Sequence, residues 1–503
     1  MFIAYSRRNG AEYATATESV RVGGKIIKSG SIYLGRVIDK ENGIYSSRER
    51  GTFVFDPDTG GFGKADLSRV PKAVPKGREK LTVDFGDSYF IDAYMRNRGF
   101  LGCMERCGCG NTDTFSALVQ LMILTDTAFA NADIWYSGNY ARLLYPKADM
   151  DGRRISDFLE SIGDDRVQRA FFREYVPMIT SGTKDVNVAI DSTGLPNSVH
   201  FPLTAVSNHN GDISQEVRLI LVVQLGSRLP IFYRAVPGNI IDASTLIRTL
   251  EELKLMNIDV GSVIIDAGYC DLKNIAELYE SKVSFVTRLK PNLLMYKDAV
   301  SEHLDELDSV DNLVTYGGRA AYVVRSRCEP LDGHGGYAYL IRDLERKRMD
   351  DAKTTEKLGN GEIPPSKAHG QFRRNGIFVL LSSEFMPIED ILPTYYARQG
   401  VEQFIDVGKN YANMVPVRVH STETFNGLML ATFIASAVVQ SMMNDLKDTD
   451  MSPKAMFMSL RNQKCKVYDD VVLRDESTAG VSKVYRHFGL DPAFVIPLQN
   501  SDR

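Results

Sequence analysis

The chain is poor in the residues that staple secreted folds or build zinc sites. Six cysteines and seven histidines in 503 residues do not make a disulfide framework, and no HExxH or paired Cys-x2-Cys spacing gathers them around zinc. Cys103, Cys107 and Cys109 lie close together, but no histidine stands near them as a fourth ligand, so they read as structural thiols. No apolar run reaches the roughly 20 residues of a membrane span, and residues 1–10 lack the basic and then apolar segments of a signal peptide. A cytoplasmic protein with no membrane partner is expected. A large excess of charge is also missing: 60 Lys and Arg against 64 Asp and Glu leave a net charge of −4, which argues against a general nucleic-acid coat but not against a local basic surface. Gly60 to Ala65 is no phosphate loop, since Asp58 stands where a Walker loop needs Gly and Ala65 replaces the Ser or Thr.

What is present is an ordinary core-forming composition, 44% hydrophobic and 25% charged, in a length that predicts two to four domains. Residues 1–100 hold 17 Lys and Arg against 12 Asp and Glu, so the basic end is the better DNA-binding candidate. The first eighty residues are rich in Gly and short β-prone runs, and Pro71 to Arg78 reads as a linker. Helical spacing runs from Ser88 to about Tyr175. Three consecutive strands follow, Val186 to Asp191, Val217 to Val223 and Pro230 to Arg234. Then come a helix from Asp242 to Leu255, a strand ending at Asp266, a helix from Leu272 to Ser281 and a strand from Val283 to Leu289. A three-stranded meander continued by helix-linked parallel strands is a ribonuclease H-like mixed sheet flanked by helices. Lys290 to Asn375 interrupts it with β-like runs and a polar, charged stretch over 342–370 that reads as partly flexible; Gly376 to Leu381 supplies a returning strand.

The predicted α/β division is therefore a small β-containing N-terminal module over 1–80 and a helical DNA-binding or linker region over 81–180. A ribonuclease H-like catalytic domain over 181–289 and 376–445 follows, interrupted by a β-rich insertion over 290–375. A C-terminal region covers 446–503.

Tyr395, Arg398, Glu402 and Lys409 stand at offsets of 0, 3, 7 and 14, those of one helical stripe, within roughly 60° of one another along roughly 21 Å. Pro393 predicts that this helix starts or kinks there, and Gly400 and Gly408 weaken it, with a break possible before Lys409. A carboxylate flanked by two cations and a phenol suits a polyanion with a reactive phosphate at its centre. A solvated face with an i,i+4 ion pair between Arg398 and Glu402 gives the same spacing. Asp191 and Asp266 are each read as ending a strand, and those strands neighbour one another in a ribonuclease H-like sheet. With a third carboxylate from a helix they form an oxygen-rich site that selects Mg²⁺ or Mn²⁺, two ions activating a nucleophilic oxygen and stabilising a leaving one. An Asp after a buried strand is equally an ordinary turn residue, and Asp406, one turn after Glu402, is a rival on the helix.

Asp191-Ser192-Thr193-Gly194, Asp266-Ala267-Gly268-Tyr269 and the Tyr395/Arg398/Glu402/Lys409 set, in that order, resemble the DDE transposases of bacterial insertion sequences that carry the Y-R-E-K signature. Gly238-Asn239 followed by Asp242, and Arg418 to Ser421, resemble the same catalytic domain, and the resemblance covers roughly Val186 to Gln440. It implies that Asp191, Asp266 and Glu402 are the metal-binding triad, holding two Mg²⁺ ions, with Mn²⁺ possible, and that Tyr395, Arg398 and Lys409 contact the transposon end. It implies cut-and-paste movement: cleavage at terminal inverted repeats in double-stranded DNA, a hairpin step and joining to target DNA. It also implies a homodimer in the synaptic complex and a bacterial or archaeal protein that is nucleoid-associated when bound to DNA. In some relatives a Trp of the insertion receives a flipped base; the only Trp here, Trp135, lies outside it, leaving Tyr322, Tyr337 or Tyr339 to stack instead. A domesticated DNA-binding protein and a ribonuclease H-like nuclease without strand transfer are the alternatives.

Overall fold

The computed structural model describes residues 1–8, 11–22, 25–40, 42–47, 49–65, 79–180, 186–197, 201–207, 213–411, 419 and 421–498. The segment from Pro71 to Arg78 that the sequence marks as a linker lies outside these, as do Arg418 and His420. The chain forms two compact units, one of residues 1–86 with 459–503 and the other of residues 87–458.

The first unit opens with an antiparallel meander of six strands in chain order, Phe2–Arg8, Ala11–Val22, Lys25–Asp39, Ile44–Ser47, Gly51–Phe55 and Phe62–Lys64. Alternate residues point to opposite faces of a strand, so Ala14 and Ala16 fall on one side with Leu34, Tyr45, Phe53 and Phe55 to make its core. Gly35 has φ +89° and backs so closely on the Ser46 carbonyl that a Cβ there would collide with it. A second sheet joins distant stretches: Leu81–Asp84 pairs with Lys464–Val467, which pairs with Val471–Arg474 and then Val495–Pro497. The divisions drawn from sequence at residues 80 and 446 do not coincide with this unit, because hydrogen bonding between residues almost four hundred apart leaves no local pattern.

The second unit is built on a ten-stranded mixed sheet. From one edge its first five strands lie in the order Pro230–Pro237, Ser214–Gln224, Val186–Pro196, Val260–Ile265 and Ser284–Arg288. The first three are antiparallel, and the last two run parallel to Val186–Pro196. This is the ribonuclease H-like order that the sequence predicts, with Ala205–Ser207 added against Ser214–Gln224. Val217 to Gln224 is buried at every residue, as befits a strand covered on both faces. The strands of the 290–375 segment are not set apart from this sheet but extend it: Ile377–Ser382 pairs with Ser284–Arg288 on one edge and His334–Asp343 on the other, followed by Arg319–Leu331 and Leu313–Tyr316. The stretch over 342–370, read from its polarity as partly flexible, is instead largely helical, with helices Leu344–Gly359 and Pro365–Arg374. Asp343 caps the first by accepting from the Arg346 N–H, and a solvated helix is polar because little of it is covered.

One helix, Thr422–Asp445, is long and apolar enough to cross a membrane by length and composition alone. It is apolar all round because it is the buried spine of this unit, enclosed among the helices Gly152–Ile162, Thr112–Leu124 and Gln399–Tyr411. Its approach to Gly152–Ile162 requires two glycines. A Cβ on Gly427 would collide with the Leu159 carbonyl, and one on Gly163 with the Glu423 carbonyl. Gly427→Ala should therefore lower stability by about 1–3 kcal/mol, the usual cost of overpacking, read as a shift of the urea midpoint; an unchanged midpoint would show that the two helices can separate freely.

Candidate active site

Parallel pairing between Val186–Pro196 and Val260–Ile265 ends at Ile190 opposite Ile265. The next residues are Asp191, still within its strand, and Asp266, the first residue past the end of its own, near enough for the Asp266 charge to act on the Asp191 carboxyl. Asp266 ends its strand as the sequence reading has it, but Asp191 does not. Its strand runs on to Pro196, paired only with Ser214–Gln224, where Asp191 faces Leu221. The two strands part at the carboxylates because the chain after Asp266 turns into a short 3-10 segment, Ala267–Tyr269, while the Asp191 strand continues. Burial pushes the Asp191 carboxyl up to about 6; the Arg398 guanidinium and the Ser192 N–H pull against this, and the Asp266 and Asp242 charges add to it.

The helix expected to carry the four-residue stripe is two helices, Ile388–Tyr396 and Gln399–Tyr411. Pro393 lies inside the first, five residues past its start, and the break falls at Ala397 and Arg398. Tight i→i+3 bonds cross it, from Arg398 N to Tyr395 O at 3.3 Å and from Val401 N to Arg398 O at 2.8 Å. Pro393 and Gly400 make a break here cheaper than elsewhere, whereas Gly408 leaves the second helix continuous past Lys409. The stripe still converges on the sheet. Tyr395 is buried and its hydroxyl donates to Asp266 Oδ1 at 3.0 Å. Arg398 donates through Nη1 to Asp191 Oδ2, and its Nη2 lies 3.2 Å from Glu402 Oε1. Lys409 Nζ donates to Thr193 Oγ1 at 3.2 Å. Burial, then the Asp266 charge, holds the Tyr395 phenol protonated well above its usual range. Asp406, the rival to Glu402, is exposed, and no ion pair joins it to another described residue.

Among the described residues no three of His, Cys, Asp and Glu are drawn together closely enough to hold a metal ion. Asp191 and Glu402 are bridged instead by the guanidinium of Arg398. The donor set of Asp191, Asp266 and Glu402 offers only oxygen and fits a hard cation. The Glu402 side chain is 52% exposed, against 17% for Asp191, so the helix carboxylate has room to turn inward while the strand carboxylate is fixed. Cys103, Cys107 and Cys109 are buried, with the Cys107 and Cys109 thiols both directed at the Met104 carbonyl, in keeping with structural thiols.

Behind the carboxylates lies a polar cluster of which the sequence reading named Ser192 and Asp242, as parts of motifs, but not Arg218 or Glu216. Arg218 is 1% exposed and donates from Nη1 to Asp242 Oδ1 at 2.8 Å and to Ser192 Oγ at 3.1 Å. Its Nη2 lies 3.5 Å from Glu216 Oε1. Ser192 Oγ donates to Asp242 Oδ1 at 2.6 Å, and Ser192 N to Asp191 Oδ1 at 2.8 Å. The motif glycines make way for the cluster: a Cβ on Gly194 would strike the Glu216 carboxylate, one on Gly238 the Glu216 carbonyl, and one on Gly268 would lie 2.9 Å from Asp242 Oδ2. Arg218 had a signal in the sequence, a charge inside the apolar run from Val217 to Val223.

Of the tyrosines read as stacking candidates, Tyr339 is fully buried with its hydroxyl on the Met386 carbonyl, and Tyr337 packs edge-on against Phe385. The aromatic pair beside the carboxylates is a different one. Tyr316, at the turn of the Leu313–Tyr316 and Arg319–Leu331 hairpin, stacks on Tyr396 at 5.2 Å and 8°, next to Tyr395.

No curated protein matches the chain. Among solved structures, a piggyBac transposase synaptic complex with hairpin DNA, determined by cryo-EM, is similar at 13% identity and a TM-score of 0.40, over 75% of this chain and 79% of that one. The family of the transposase DDE domain matches residues 182–438, just over half of the chain and the whole stretch that carries Asp191, Asp266 and Glu402. The chain belongs to that family and is a DNA transposase, of a class that works with divalent metal ions.

Proposed function

We propose that Asp191, Asp266 and Glu402 are the catalytic carboxylates, that they hold two Mg²⁺ ions or Mn²⁺ in their place, and that Tyr395, Arg398 and Lys409 handle the transposon end. The observation that carries this reading is convergence. Segments more than a hundred positions apart meet through Tyr395 on Asp266 and Arg398 on Asp191, with Arg398 also reaching Glu402 on its own helix, and an ordinary solvated helix face has no reason to reach two such carboxylates at once.

Bound ions would lower the pKa of the attacking oxygen and take up charge on the leaving one. The protein supplies position. Asp191 and Asp266 follow directly on the last paired residues of two neighbouring strands, and Glu402 approaches from the helix. Arg398 is available to a phosphate once its carboxylates are otherwise occupied, because a guanidinium forks onto phosphate as it does onto carboxylate. Lys409, lying along the Asp191 strand, takes a neighbouring phosphate as a point charge. The reaction is cut-and-paste. Water attacks the phosphodiester at the terminal inverted repeat, the 3′ oxygen leaves and is protonated, and that 3′-hydroxyl attacks a phosphodiester of the opposite strand, displacing the 3′-hydroxyl of the flanking DNA, to close a hairpin. Water then opens the hairpin, and the freed 3′ end displaces a 3′-hydroxyl in target DNA. Tyr316 and Tyr396 are the rings placed to receive an unstacked base. Residues 1–80 and 81–180 are assigned to DNA binding, and two copies of the chain to one synapse.

The test uses purified protein, Mg²⁺ and labelled duplex carrying the inverted repeats that flank its own gene. Wild type should give hairpins and joined products. Asp191→Asn, Asp266→Asn and Glu402→Gln should each lose more than about a hundredfold in cleavage while still retarding the duplex in a gel. Retardation by wild type without metal-dependent cleavage would point to a DNA-binding protein, and cleavage without joining to a nuclease.

Two further outcomes separate the roles of the cations. Lys409→Ala should reduce the slope of log affinity against log salt by about 1, the signature of one lost phosphate contact; an unchanged slope removes Lys409 from the DNA interface. Arg398→Ala should tighten Mn²⁺ binding in the absence of DNA by roughly tenfold, since the hydrogen bonds it makes to charged groups, about 1.5–3 kcal/mol, oppose ion entry. Weaker binding in calorimetry would mean that Arg398 assists the ions instead.

A further inference from the structure

We propose that Asp242, anchored by Arg218, and Asn274 are positioning residues that set the separation of Asp191 from Asp266, because together they tie the chain after each carboxylate to one shared turn. This rests on the reading of Asp191 and Asp266 as metal-holding residues.

The shared turn is Asp242–Ser244, a short 3-10 segment far from both carboxylates in sequence. On one side the Asp242 carboxylate accepts from the hydroxyl of Ser192, whose own N–H is bonded to Asp191. On the other side the amide of Asn274, 1% exposed on the helix Leu272–Glu280, donates from Nδ2 to two carbonyls at once. These are Ala243 O, within the shared turn, and Tyr269 O, in the turn that follows Asp266, both at 2.8 Å. The backbone of Gly268 closes against Asp242 at a distance that leaves no room for a side chain. A continuous path of hydrogen bonds therefore runs from Asp191 through Ser192, Asp242 and the shared turn to Asn274 and the turn of Asp266.

The path is needed because the sheet stops holding the two strands together at this level. Their pairing ends at Ile190 and Ile265, so no backbone bond of the ladder fixes the gap across which the carboxylates face one another. Asp242 in turn is fixed from beneath by Arg218, whose guanidinium also lies against Glu216. A buried carboxylate without a cation is strongly unfavourable, and a guanidinium's planar fork holds its partner in one orientation. The conformation of Asp242 is thereby fixed, and with it the two turns that lean on it. Groups outside the ligand set that orient the ligands typically change metal affinity or activity by about 10–100-fold when removed.

The variants are Ser192→Ala and Asn274→Ala, which cut the path on either side of Asp242, with Ser192→Thr as the version that keeps the hydroxyl. Mn²⁺ binding to the full chain without DNA is followed by calorimetry, with the thermal midpoint of the metal-free protein and cleavage of the repeat duplex in Mg²⁺ and in Mn²⁺ as companions. Both Ala variants should bind Mn²⁺ about 10–100-fold more weakly. They should also lose more cleavage in Mg²⁺, which demands near-ideal octahedral geometry, than in Mn²⁺, while Ser192→Thr stays near wild type. Unchanged Mn²⁺ affinity overturns the proposal. So does an equal loss in both metals that follows a fall in thermal midpoint, the mark of a merely structural role. Wild type that binds no Mn²⁺ would instead overturn the assignment of the carboxylates themselves.

Discussion

Two carboxylates side by side on neighbouring strands, one of them largely buried, repel each other and ask for a cation. That electrostatic demand organises much of what surrounds the site. The closeness of Asp266 and Asp242 adds to the burial that already raises the Asp191 carboxyl. In the metal-free protein the demand is met from within the chain, by the Arg398 guanidinium on Asp191 and Glu402 and the Tyr395 hydroxyl on Asp266. The Arg398 cation and the Tyr395 hydroxyl thus offset part of the repulsion between the carboxylates.

The architecture separates a rigid half from an adjustable one. The strands that lead to Asp191 and Asp266 belong to one sheet, beside the buried strand Ser214–Gln224, and Arg218 and Asn274 bond the turn of Asp242 and Ala243 close by. Glu402 sits on a separate helix, half-exposed, beyond a break at Ala397 and Arg398. On the proposed assignment, two carboxylates on strands and a third on a half-exposed helix let the site close around its contents, and the break gives Arg398 a backbone position that a continuous helix would not. The strands of the 290–375 segment extend the same sheet, so the Tyr316 hairpin reaches Tyr396 on a rigid support.

Much of this was legible in the residues. The order of strands and helices from Val186 to Leu289 followed from periodicity, and burial on both faces made those runs unmistakable. The fixed offsets of Tyr395, Arg398, Glu402 and Lys409 brought the helix residues to attention before any geometry was known. Less was legible in 342–370, where polarity was taken for flexibility although a solvated helix is polar too. The continuation of the Asp191 strand to Pro196 was hidden because Ser192 and Gly194 lack strand propensity and flank a single β-branched residue, Thr193, the whole stretch being held extended by the neighbouring strand Ser214–Gln224.

The sequence by itself determined which residues would be polar within an apolar sheet, and that three carboxylates, two cations and a phenol would stand at the ends or faces of regular elements. Local periodicity sets those facts. Only the tertiary structure decided that Tyr395 and Arg398 turn toward the carboxylates, that Arg218 bonds Asp242 and Asn274 bridges the Ala243 and Tyr269 carbonyls, and that residues 81–84 pair with 464–467. Hydrogen bonds and ion pairs between segments far apart in the chain depend on where the packed elements come to rest, and no window of local sequence contains that information.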